Sequence, residues 1–428
     1  MKRILIGALV AIILVPLAIV GVELASEPQR AHAAAPVADQ AAQAVRGAYL
    51  ARAGNCMACH TTRGGKEYAG GRAIETPFGN IYAPNLTQDQ ETGIGSWTPD
   101  DFWRAIHNGK SKDGSFLYPA FPYPNYTKVT RADSDALYAY FKTIPAVRQP
   151  NLEHELAFPY NQRILLAFWR TLYFTPGEFE QQPARSAEWN RGAYLVQGLG
   201  HCSACHTPRT ALGGSIGEAV LGGGMIPAMD WYAPALGSGD ETGLGEWEAA
   251  DIASLLKTGV SARGAVFGPM AEVVSGSLQH LSGADVDAMA AYLKSLPTTG
   301  ATVHAKPAAA LAGDAEAVLR AGAKLYEQNC AACHGAGGKG AAPAYPPLAG
   351  NRSLALDTAT NPVRMVLNGG FAPSTAGNPR PYGMPLFGST LNDSEVAAVV
   401  SYIRTSWGNE GKLVSPLEVS RLRGAPVH

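Results

Sequence analysis

The pattern Cys-x-x-Cys-His occurs three times in this chain: at Cys56-Met-Ala-Cys59-His60, Cys202-Ser-Ala-Cys205-His206 and Cys330-Ala-Ala-Cys333-His334. It uses all 6 cysteines, so none is left for a disulfide or a lone thiol. Two thiols separated by two residues on a tight turn can reach the two vinyl groups of one porphyrin, and the next histidine then lies under the iron. A zinc site or a thioredoxin-like pair also uses Cys-x-x-Cys, but neither calls for a histidine directly after every second cysteine. The chain therefore reads as carrying three covalently bound haem c groups, with His60, His206 and His334 as proximal iron ligands. Haem c is attached outside the cytoplasm, which places the chain on the periplasmic side.

Sequence on either side of each motif repeats as well. Upstream stand "RGAYLARAGN" (46–55), "RGAYLVQGLGH" (191–201) and "AGAKLYEQN" (321–329), each a short helix running into the cysteine turn. Downstream, "AYFKTIP" (139–145), "AYLKSLP" (291–297) and "SYIRTSW" (401–407) end each repeat as amphipathic helices. Their starts carry capping signatures: Thr130-x-x-Asp133, Ser282-x-x-Asp285 and Asn392-x-x-Glu395. The plan is that of a small class I cytochrome c domain, in which the haem supplies much of a core that so short a polypeptide lacks. The expected fold is mainly α, with three tandem class I cytochrome c domains at 40–148, 187–298 and 315–410 and an apolar helix at the N-terminus.

The first two repeats share more. "YAPNLTQDQETGIGSWTPDDFWRAIHNG" (82–109) parallels "YAPALGSGDETGLGEWEAADIASLLKTG" (232–259), and Trp97 and Trp247 are expected at a haem edge or in the core. A connector at 149–186 holds "RILLAFWRTLYF" (163–174), apolar enough to cover a neighbouring domain, a partner or a membrane surface. Residues 299–314 read as an Ala/Pro linker. The tail 411–428 has no period and is expected to dock on another subunit or stay loose.

At the N-terminus, Lys2 and Arg3 precede an apolar run from Ile4 to Val22, and Ala31-His32-Ala33 offers a cleavage-like site. Residues 1–34 thus form either a retained membrane anchor, the favoured reading, or a signal peptide. A net charge of −1 over 428 residues gives no basic stripe, which argues against nucleic acid as a partner.

A methionine usually closes the far side of a class I haem, and its thioether favours reduced iron. Met270 in "GPMAE" and Met384 in "YGMPLF" stand beside prolines upstream of the last helix of their repeats. Met225, Met229, Met289 and Met365 compete with them, and Met289 and Met365 fall in helical patterns that suit a core. In the first repeat the equivalent loop, "LYPAFPYPNY" (117–126), offers Phe121, which cannot bind iron. The sixth ligand of haem one is therefore unassigned. His107 and His154 are the candidates, and His107, at the position of Lys257 in the second repeat, is also readable as a surface residue.

Together with the three motifs, "IETPFGNIYAPNLT" (74–87) and "LYPAFPYPNYTKVTRADSDALYAYFK" (117–142) resemble the triheme cytochrome c subunits of bacterial membrane-bound periplasmic dehydrogenases. The resemblance implies an electron-transfer subunit, not an enzyme by itself. Such a subunit takes electrons from a catalytic dehydrogenase subunit of molybdopterin, PQQ or flavin type and passes them to ubiquinone or a terminal oxidase. The alcohol dehydrogenase type reads Pro-Ala-Met-Pro-Tyr in the first repeat, whereas this chain reads Pro-Ala-Phe-Pro-Tyr and continues "ELAFPYNQRILLAFWRTLYF" (155–174). That combination is more similar to subunits partnered with molybdenum-dependent aldehyde dehydrogenases. A free-standing electron shuttle and a multihaem peroxidase are the alternatives, the latter needing a distal acid–base group and open access to the iron.

Overall fold

A computed structural model of the protein describes residues 2–26, 40–217, 220–237, 244–297 and 315–425. The Ala/Pro linker and the cleavage-like site lie outside the described residues. The chain gathers into two compact units. The first comprises Met1–Arg185, Ala193–Ala204 and Arg209–Ser215; the second comprises Ser186–Gly192, Cys205–Pro208 and Ile216–His428.

Each repeat is built on one helix crossing. The opening helices are Gln40–Ala53, Ala187–Gln197 and Ala315–Asn329, and the closing helices are Arg131–Phe141, Gly283–Lys294 and Asp393–Thr405. Where they meet, the opening helix has glycine: Gly47, Gly192 and Gly322. A Cβ at these positions would lie 1.9, 1.9 and 2.2 Å from the carbonyl oxygens of Ala136, Ala288 and Ala398. Backbones this close leave no room for a side chain. The closing helices start at the caps read from sequence, with Thr130, Ser282 and Asn392 each accepting the backbone N–H three residues on.

The third residue of the cap also fixes the crossing angle in two repeats. Asp133 accepts Arg46 Nε at 2.7 Å, and Asp285 holds Arg191 through two bonds of 2.7 Å. The third repeat has Ala321 in place of the arginine, and its Glu395 instead completes a capping box with Asn392.

In the first unit an antiparallel sheet of Ala73–Thr76, Gly79–Tyr82 and Glu155–Leu156 flanks the cysteine turn. The connector helix Leu166–Tyr173 buries Leu166, Ala167 and Arg170 against Phe116 and Tyr118, while Phe158, Ile164, Leu165 and Leu172 stay exposed. The N-terminal helix Lys2–Ala25 packs on this connector: Glu23 pairs with the buried Arg170 at 2.8 Å, and the ammonium of Lys110 binds the carbonyls of Leu24 and Ser26. Among the described residues no helix is long and apolar enough to cross a membrane.

In the second unit the tail corrects the expectation of a loose or externally docked end. Pro416–Arg423 is a helix with a Ser415/Glu418 capping box. It lies on the third repeat, with Val414 and Val419 buried and Arg423 bound to Asp393 and to the carbonyls of Gly388 and Leu391.

The crossings give a direct test. Gly47→Ala and Gly192→Ala are each expected to lower the stability of the haem-loaded protein by about 3 kcal/mol, the upper part of the range for overpacking. Gly283→Ala, whose added Cβ meets nothing within 4 Å, is expected to stay within about 1 kcal/mol. Thermal unfolding followed by circular dichroism separates the two outcomes, and equal melting temperatures for all three variants would contradict the role given to the crossing.

Candidate functional site

Each cysteine motif is a single helical turn: Cys56–His60, Ser203–His206 and Ala331–His334. In the first two repeats the residue before the first cysteine is left-handed, Asn55 at φ 49° and His201 at φ 38°. That reversal lets the opening helix stop and the turn begin within one residue.

The three histidines are held alike. His60 Nδ1 is 2.8 Å from the Pro84 carbonyl, His206 Nδ1 is 2.6 Å from Pro234, and His334 Nδ1 is 3.1 Å from Pro346. A carbonyl can only accept, so Nδ1 carries the proton and Nε2 keeps its lone pair for a metal. Such a bond also fixes the ring's orientation and strengthens it as a ligand. Each imidazole is packed deep among neighbouring atoms although part of the residue still meets solvent. Burial lowers all three from the ordinary histidine range, with the proline carbonyl pulling the other way. Neutral rings with a free Nε2 are what a haem iron requires.

Burial, with Cys59 beside it, pushes Cys56 up to about 12, and burial with Cys333 pushes Cys330 up to about 11.

The third repeat shows the shape of the site best. Cys330, Cys333, His334, Tyr345, Pro346 and Met384 line one cleft. It holds ≈ 910 Å³ of space free of atoms, open solvent included. Met384 sits in the two-residue strand Gly383–Met384, paired with Gly370–Phe371. Met365 lies in the helix Thr360–Asn368, and Met289 is fully buried in the second closing helix. Met270 begins the helix Pro269–Gly276 and is half-buried.

In the first repeat Phe121 lies in a turn, its ring 5.3 Å from that of Tyr126. Tyr126 is buried and donates its hydroxyl to the Gly54 carbonyl at 3.1 Å, two residues ahead of Cys56. Tyr126 thus links the segment that follows Phe121 to the residues just before the cysteine turn.

The reading of His107 as a surface residue is overturned. The ring is buried in the helix Pro99–Asn108, stacks on Trp103 at 4.3 Å and bonds the Thr127 backbone. Lys257, its counterpart, donates to the carbonyls of Gln279, at 2.7 Å, and Leu281. Thr127 and Gln279 hold the same place ahead of the caps Thr130 and Ser282, so imidazole and ammonium tether the same two segments. His154 accepts the Tyr82 N–H on Nδ1 at 3.2 Å and meets Tyr118 edge-on. Trp97 and Trp247 are half-buried, and their main-chain carbonyls take the Tyr138 hydroxyl and the Lys294 ammonium.

Sequence reasoning missed the three prolines that accept from the histidines. Their signal was present, in Tyr82-Ala-Pro84, Tyr232-Ala-Pro234 and Tyr345-Pro346-Pro347. Only the fold shows that these stretches return beneath the histidines.

The family model for cytochrome c matches residues 44–145, 190–297 and 319–407, and the chain belongs to the cytochrome c family. More particularly, it is 40% identical over 397 residues to the cytochrome c subunit of the quinone alcohol dehydrogenase of Gluconacetobacter polyoxogenes, covering 89% of this chain and 85% of that one. It is 42% identical over 404 residues to the gluconate 2-dehydrogenase cytochrome c subunit of Pantoea cypripedii, covering 90% and 91%. The fructose dehydrogenase cytochrome subunit of Gluconobacter japonicus is 36% identical over 403 residues, covering 88% and 82%. The site residues fit the haem c that the family implies, through the oriented Nε2, the paired cysteines on one helical turn and the cleft.

His107 supplies a pH test. Burial brings its pKa from 6.5 down to about 4, so between those values the unfolded chain binds the proton and the folded chain does not. Stability is therefore expected to fall as pH drops from 6.5 to about 4. His107→Gln, with nothing to titrate there, should show a shallower loss in denaturant unfolding across that window. Identical pH dependence in both proteins would contradict a buried neutral imidazole.

Proposed function

We propose that the chain is the triheme electron-transfer subunit of a membrane-associated periplasmic dehydrogenase, moving electrons from a separate catalytic subunit towards ubiquinone or a terminal oxidase. The observation that carries this reading is the threefold recurrence of one site, a cysteine turn whose histidine is locked by a proline carbonyl with Nε2 free. Its relatives serve dehydrogenases of alcohol, gluconate and fructose. Partners so different indicate that substrate choice lies off this chain.

Haem c supplies a one-electron centre when bound. The chain's own residues hold and tune it. Cys56 and Cys59, Cys202 and Cys205, and Cys330 and Cys333 are the thioether positions; His60, His206 and His334 are the proximal ligands. Met384 shares a cleft with His334 and both cysteines, which supports it as the far-side ligand of haem three. Met270, beside Pro269 as Met384 is beside Pro385, takes that role for haem two. Haem one has no methionine ligand, and Phe121 covers its site. Each histidine candidate there already makes one bond, His107 to the Thr127 backbone and His154 to the Tyr82 N–H, so the sixth ligand of haem one stays open between them.

The catalytic partner is a molybdopterin, PQQ or flavin dehydrogenase. An aldehyde dehydrogenase of the molybdenum type is favoured by Phe121 and by the connector sequence at 155–174. Membrane attachment is supported by the exposed Phe158, Ile164, Leu165 and Leu172.

Purified alone with its haems, the chain is expected to be reduced by dithionite yet to turn over no alcohol, aldehyde or sugar. Turnover without a second subunit would sink the proposal. Met384→Leu is expected to remove about one centre's worth of thioether–iron absorption and to lower one of three midpoint potentials. An unchanged titration would move the assignment to another residue, Met365 first.

A further inference from the structure

The cleft of the third repeat is not built by the third repeat alone. Val260, Ser261, Gly264, Ala265 and Phe267, all from the second repeat, line it together with Cys330, Cys333 and His334. They form a β-hairpin, Val260–Ser261 with Gly264–Ala265, and the short segment that leads from it to the helix Pro269–Gly276. Phe267 is half-buried and is the only large ring the hairpin segment brings to the cleft.

The hairpin is held there from the third repeat's side at several points. Thr375 Oγ1 donates to the Thr258 carbonyl at 3.0 Å. Gly259, at φ 80°, is pressed so close to Pro373 that a Cβ would sit 2.2 Å from its ring. The Asn361 side chain bonds both the N–H and the carbonyl of Tyr232, at 2.9 and 2.8 Å. Arg364 stacks on Trp231 at 4.9 Å. The same indole is packed on Gly268, whose added Cβ would lie 2.7 Å from the ring. Phe267 is thus fixed at its C-terminal neighbour by a stack that begins in the third repeat.

We infer that this hairpin is the cover of the third haem site, and that Phe267 is the positioning residue that sets water access to the centre held by His334, and so its potential. The inference takes from the proposed function only that this turn carries haem c. It does not depend on which dehydrogenase is the partner. Water stabilises the more highly charged oxidised centre, so an apolar lid raises the potential by excluding it. It follows that the second repeat tunes the third, and that the third repeat excised from the chain would carry a different centre.

The test uses the full haem-loaded chain. The third centre is identified by its loss from a variant with Cys330→Ala and Cys333→Ala. In Phe267→Ala, at an ambient potential where that centre is half reduced, its ferrous-to-ferric ratio is expected to fall several-fold. Oxidation of the same centre by ferricyanide, a small hydrophilic reagent, should become several-fold faster. Phe267→Leu, which keeps an apolar lid, should restore both readings most of the way, and the other two centres should not move. The inference is overturned if Phe267→Ala leaves the third centre's ratio and rate unchanged, if all three centres shift together, or if Phe267→Leu behaves as the alanine variant does.

Discussion

Everything in this chain hangs on the place where an opening helix runs against a closing helix with no side chain between them. At Gly47, Gly192 and Gly322 the opposing carbonyl fills the space a Cβ would need. That contact sets the distance between the two ends of each repeat, and the cysteine turn begins where the opening helix stops. The arginine–aspartate pairs of the first two repeats reinforce the same crossing from the cap of the closing helix. Such pairs are half-exposed on one side and add modestly. The glycine is the constraint that has no substitute.

From that frame follows the presentation of the histidines. A turn fixed at one end needs a second hold to aim its imidazole, and the chain returns a proline carbonyl for that purpose in every repeat. The length of the return varies. It is short in the third repeat, where Pro346 comes soon after the turn, and long in the first two, where a sheet or hairpin intervenes. The constancy of the bond despite this variation argues that the orientation of the ring is the conserved physical requirement within the chain, and the intervening structure is free to serve other ends. In the first unit the sheet carries the connector; in the second, a later hairpin reaches the third cleft.

Much of this was legible in the sequence. The cysteine turns, the capped closing helices and the core position of Met289 follow from local spacing. The glycines stood in view in "RGAYL", but helix propensity counts them only as a defect, and their purpose is visible only across the crossing. His107 was misread because its counterpart Lys257 looked like a solvent-facing cation; both are in fact tied to backbone ahead of a cap. The tail carried a Ser-x-x-Glu box at Ser415 and Glu418 that announced a helix, although nothing local said where it would dock. Long-range returns are harder to read: the repeated Tyr-x-Pro stretches were visible but not their partner histidines, and nothing in spacing marked Phe267 for the third cleft.

The central claim is that all three cysteine turns are covalent haem sites presented by the same architecture. It is tested most directly by counting thiols in the purified, unfolded holoprotein with an alkylating reagent, followed by peptide mass analysis. The account predicts that none of the 6 cysteines is alkylated and that each Cys-x-x-Cys-His peptide carries one porphyrin. A turn whose two cysteines are both alkylated, with its peptide at the unmodified mass, would contradict it.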